Sequence, residues 1–172
     1  MDGRHHIIGS GHPSYADQLA VLRAAEGVNP IEDKYVPGNL LESRSRSFHL
    51  GSSRNVSWVD GDDAILTLDW LAEAVSWLDQ DPNIAAVYPR WWMTENGLTG
   101  YETSGEPFSA PRYLASPGLI PCHHLTVMRR ANVEAILADV GAAHPVMVKS
   151  QERLLTIGSL RYGRLVPHSA LA

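Results

Sequence analysis

The sequence predicts an α/β fold, a single mixed sheet flanked by helices. Short apolar runs rich in Val, Ile and Trp alternate along the chain with segments whose apolar residues recur at helical spacing. The length of 172 residues is that of one domain, so residues 1–172 are read as a single unit. A hydrophobic content of 44% against 19% charged residues is the composition of a globular chain, not a disordered one. The formal net charge of −5 argues against a broad nucleic-acid footprint. Cys122 is the one cysteine, which excludes an internal disulfide and fits a reducing, cytoplasmic compartment. No apolar run approaches the roughly 18 residues needed to span a bilayer, so no transmembrane segment is expected. The opening stretch from Met1 to His6 lacks the apolar core of a secretory signal.

Taken in order, His6, Ile7 and Ile8 read as a short strand that runs into a loop at Gly9-Ser10-Gly11-His12. Ser14 is a candidate N-cap, and Tyr15, Leu19 and Leu22 share a face, which predicts a helix over 15–26 stopped by Gly27. Residues 28–39 hold two prolines and a glycine and read as loop, with a short strand at 33–36. A short helix over 40–50 ends at Gly51. Residues 55–59 (NVSWV) form a strand by composition. Leu68, Leu71, Val75 and Leu78 predict the next helix, capped by Thr67 and ended by Asp81-Pro82-Asn83. Ile84 to Tyr88 is a strand, and 90–118 a long irregular segment. Leu119 to Met128 reads as a strand. Val133, Ile136, Leu137 and Val140 mark a helix, 152–160 another, and Leu165-Val166 a last short strand.

The sharpest chemical feature is Asp60-Gly61-Asp62-Asp63, directly after an apolar strand. Residues i and i+2 of an extended segment point the same way, so Asp60 and Asp62 can face one pocket. The carboxyl end of a strand is where open α/β sheets place ligands. Two hard carboxylates suit Mg²⁺ or Mn²⁺ and leave positions open for phosphate oxygens. An acidic turn capping the strand accounts for the same residues without a metal. An EF-hand loop is excluded, because counting from Asp60 its sixth position is Ile65 and its twelfth Leu71. The string Gly9-Ser10-Gly11-His12-Pro13-Ser14 fails as a dinucleotide fingerprint, since Ser14 takes the third glycine position. No P-loop, nucleophile elbow or zinc-finger spacing is present.

The stretch from Arg44 to Tyr88 resembles the family 2 glycosyltransferases, which have the GT-A fold, a Rossmann-like mixed sheet. The features that carry the likeness are Ser43-Arg44-Ser45, the 16 residues from Arg44 to Asp60, the Asp-x-Asp-Asp string, and the run LDWLAEAVSWLDQDPNIAAVYPR. The resemblance implies a compact, N-terminally shortened domain that moves a sugar, with inversion, from a nucleotide-diphosphate donor to an acceptor hydroxyl. A UDP-sugar is the first donor it suggests, with Mn²⁺ or Mg²⁺ as cofactor. It places Arg44 beside the donor diphosphate, where a guanidinium suits phosphate oxygens. Gly9 and Ser10 stand where the family frames the nucleotide, and small residues let a base or ribose approach the backbone.

Gln151-Glu152 opens a late helix where the family carries a Glu-Asp pair, which implies Glu152 as catalytic base in place of the usual Asp. His168, 16 residues past Glu152, stands just after the last strand, where some members complete the metal site with a histidine. Asp60, Asp62 and His168 are then the metal set. Trp91 and Trp92 border the acceptor side, where an indole face stacks on a sugar ring; tryptophan is more often a partly buried packing residue. Arg129 and Arg130 form a basic pair, either touching an anionic acceptor or simply solvated. A nucleotidyltransferase on a similar sheet, or a catalytically degenerate binding or assembly module, fits the same pattern. The expected partners are a nucleotide-sugar and an acceptor whose identity the sequence does not give, with self-association as a way for a trimmed domain to complete itself.

Overall fold

A computed structural model describes residues 4–10, 15–24, 28–34, 51–58, 69–90, 92–95, 98–102, 108, 110–115, 126–140 and 151–171. They fall into two compact units, Met1–Ser53 with Ala142–Gln151, and Arg54–Gly141 with Glu152–Ala172.

In the first unit, β1 (Arg4–Ser10) pairs in parallel with β2 (Val28–Lys34), and α1 (Tyr15–Ala24) connects them. The strand β1 continues through Gly9 and Ser10, which the sequence assigned to a loop. The strand β2 occupies most of the segment expected as loop, because Pro30, paired with His6, stands on a strand with no second neighbour among the described residues, where a missing N–H is tolerated. Gly51 takes φ 73°, the left-handed turn of a helix stop. The helix expected before it lies outside the described residues.

The second unit is built on a four-stranded mixed sheet in the order β3 (Asn55–Val56), β7 (Val127–Arg129), β4 (Ile84–Arg90), β8 (Arg164–Leu171). β7 is antiparallel to both β3 and β4, and β4 is parallel to β8. It follows that β3, β4 and β8 run the same way and their carboxyl ends share one edge. The chain is thus α/β, with helices α2 (Asp69–Gln80), α4 (Arg130–Val140) and α5 (Gln151–Ser159) against a mixed sheet. β5 (Trp92–Glu95) and β6 (Leu98–Glu102) form a separate antiparallel hairpin, and α3 (Ala110–Ala115) follows. Both fall in the segment expected to be irregular. The residues between β5 and β6 are Asn96-Gly97, the strongest two-residue hairpin signal a sequence offers.

Helices cover both faces of the sheet. Trp70, Ala74 and Leu78 of α2, at i, i+4 and i+8, are buried on Ile84, Val87 and Val127, with Leu71, Val75, Trp77 and Val166 at the margin. The buried row therefore runs one residue away from the Leu71–Val75 line that the spacing predicts. Met128 points to the opposite face, where Ser159 Oγ of α5 lies 3.9 Å from its sulfur. There α5 packs closely on α4, since a Cβ at Gly158 would come within 2.8 Å of Ile136.

Arg129 fastens the first of these layers. Its half-buried guanidinium donates to the carbonyls of Leu78, Asp81 and Ile84, so it caps the carboxyl end of α2 and the start of β4 together. A helix leaves its last carbonyls without internal donors, and its negative dipole end favours a cation. Arg129 is thus a capping residue, neither solvated nor an acceptor contact. Its neighbour Arg130 begins α4 and donates its backbone N–H to the Arg54 carbonyl at 2.8 Å.

The turn that follows α2 is tied just as closely. Asp81 Oδ1 accepts the backbone N–H of Asn83 at 2.8 Å, and Oδ2 accepts from Arg164 at 2.6 Å. Gly163, at φ 146°, brings its backbone against Asn83, and a Cβ there would lie 2.2 Å from the Asn83 carbonyl oxygen.

Arg129→Met keeps the bulk and removes the donors. It is expected to lower stability by about 2–4 kcal/mol in urea unfolding, given hydrogen bonds from a charged donor; wild-type stability would rule out the capping role. A second expectation concerns acid. The backbone N–H of Asn83, with help from Arg164, holds the Asp81 carboxyl below its ordinary 3.8. A carboxyl depressed in the folded state contributes stability that is complete above its unfolded pKa and is lost as pH falls through the folded one. Below about pH 4, wild type should therefore lose stability more steeply than Asp81→Asn, as read from urea midpoints across pH. Parallel curves would remove Asp81 from the acid response.

Candidate functional site

The residues singled out by sequence divide by where they lie. Gly9 and Ser10 are the last two residues of β1 in the first unit. Glu152 is the second residue of α5, in its first turn, and Trp92 opens β5, both in the second unit. Arg44, Asp60, Asp62 and Trp91 lie outside the described residues. His168 is the one proposed ligand whose surroundings are on view. It stands within β8, in its carboxyl half, and not beyond the strand as expected.

A break in the ladder explains its setting. Tyr88 pairs with Pro167 and the next pairing joins Arg90 to Leu171, so His168, Ser169 and Ala170 lie opposite Pro89 alone. Proline has no N–H to give to the ladder, so pairing lapses there and β8 bulges. Bulges of this kind re-aim side chains and are frequent beside active sites. Arg90 ties this one down by donating to the Ser169 carbonyl at 3.4 Å.

The ring that the bulge presents is enclosed by α2. The His168 side chain is 5% exposed, and its ring centroid lies 4.8 Å from that of Trp77 and 6.0 Å from that of Trp70, tilted by 44° and 46°. Its Nε2 lies 2.9 Å from Oε2 of Glu73. Glu73 itself is 62% exposed, so the pair joins a dry imidazole to a wet carboxylate. Trp70, Glu73 and Trp77 recur at three- and four-residue spacing, which stacks them along one side of α2. Glu73 escaped the sequence reading because its partner is 95 residues away. Only its position one turn from two tryptophans set it apart.

The indole Nε1 of Trp70 and the hydroxyls of Thr126 and Thr156 are buried with no hydrogen-bond partner among the described residues. No three His, Cys, Asp or Glu side chains gather in a metal-holding set among the described residues. The Glu73 carboxylate at Nε2 of His168 is a feature shared with many ligating histidines. Such a ring commonly donates its second N–H to a carboxylate, which fixes its orientation. No helix among the described residues is long and apolar enough to cross a membrane. Neither protein-family models nor curated proteins give a match to this chain.

His168→Ala removes a ring held between two indoles and leaves a void in its place. A loss of about 3 kcal/mol is expected by urea unfolding, with altered tryptophan fluorescence from the loss of the Trp77 contact. An unchanged emission spectrum would mean that the ring does not lie on Trp77.

Proposed function

We propose that the chain is a compact glycosyltransferase of the GT-A type, resembling family 2, that transfers a sugar from a nucleotide-diphosphate donor to an acceptor hydroxyl. The observation that carries this reading is the Asp60-Gly61-Asp62-Asp63 string after an apolar strand, with Arg44 16 residues before it. The direction of the sheet supports it. The chain leaves β3 at the edge where β4 and β8 also end, and ligands of open α/β sheets gather at that edge.

The spans are compatible with a shared site. From β3 to β8 there are three strand spacings, about 14 Å at roughly 4.8 Å each. The six residues from Val56 to Asp62 reach about 20 Å when extended. Asp60, Asp62 and His168 are then the groups that hold Mn²⁺ or Mg²⁺, a donor set of carboxylates and imidazole that suits either ion. Bound there, the cation supplies neutralisation of the charge on the departing diphosphate.

The remaining work falls to side chains of this chain. The family resemblance assigns Arg44 to the diphosphate oxygens and Gly9 and Ser10 to the nucleoside. Glu152 accepts the proton of the acceptor hydroxyl as its oxygen bonds to the anomeric carbon. The bond from that carbon to the diphosphate oxygen breaks, and the configuration inverts. Position in the first turn of α5 suits a carboxylate that must stay ionised. Trp91 and Trp92 are the acceptor-side aromatic candidates.

The test is a thermal-shift panel of UDP-, GDP-, CMP- and dTDP-sugars with and without Mn²⁺. A ligand at a hundred times its Kd adds about 2.7 kcal/mol of stability. The expected result is a metal-dependent shift with one nucleotide, abolished in Asp62→Ala. With the donor known, Glu152→Gln should lower kcat by roughly 10²- to 10⁴-fold. A flat panel with folded protein would replace the enzyme by a binding module, and pyrophosphate as product would replace it by a nucleotidyltransferase.

A further inference from the structure

We draw no further inference here: the strongest candidate, the pair of buried hydroxyls of Thr126, just ahead of β7, and Thr156, on α5, which have no hydrogen-bond partner among the described residues, carries nothing, because both residues are 0% exposed, which leaves no space beside either oxygen for a ligand.

Discussion

The second unit depends on one guanidinium. Arg129 sits on the only strand of the four-stranded sheet that runs against the others, and from there it reaches the end of α2 and the beginning of β4. A planar fork of N–H donors can serve several carbonyls at once, which a lysine ammonium on its flexible stem does less well. Because α2 is held at its carboxyl end, it cannot slide along the sheet without leaving those carbonyls unpaired. The same helix carries Trp70, Glu73 and Trp77. The environment of His168 is therefore set, through a rigid helix, by a residue that never touches it.

A second set of ties passes the constraint on to β8. Asp81 joins the α2 turn to Arg164, and the Arg164 backbone N–H donates to the Asn83 carbonyl at 2.8 Å. Gly163 makes this approach feasible, since no side chain fits against that carbonyl. β8 thus enters the sheet tied to the start of β4; after a shift between Ile84 and Ala86 the register holds from Ala86 to Tyr88, until both strands carry proline, at Pro89 and Pro167. The ladder lapses there, immediately before His168. What reads as an imperfection in the sheet is the local geometry that turns a core strand position into one that presents an imidazole.

How much of this was legible in the sequence follows from the range of each interaction. α2, β4, α4 and α5 are written in local spacing, and their apolar stripes are found nearly where expected. β2 and the far half of β8 were hidden by Pro30 and Pro167, because each strand has one neighbour among the described residues, and such a strand tolerates a proline that a central one would not. The hairpin of β5 and β6 is announced by Asn96-Gly97 but is obscured by the Gly, Pro, Ser and Thr residues that surround it and by strands too short to show alternation. Arg129 was visible as a charge, but its acceptors are backbone carbonyls, which no side-chain pattern encodes. Of the candidate site, His168 was legible as a residue type and Glu73 was not, for a pair 95 residues apart leaves no local trace.

The chemistry around His168 also bears on why an imidazole is kept there. For stability alone, a packed apolar side chain would serve at least as well, since replacing buried polar pairs by hydrophobes is often neutral or favourable. Here the position instead holds a ring that needs a partner, the partner is a carboxylate largely in water, and the adjacent Trp70 buries an indole N–H with no acceptor among the described residues. An unsatisfied buried donor costs about 1–3 kcal/mol. Departures from local consistency that stability does not explain concentrate where a protein acts. The cluster of Trp70, Glu73, Trp77 and His168 is such a departure, and it lies in the carboxyl half of β8, toward the edge at which an α/β sheet binds its ligands.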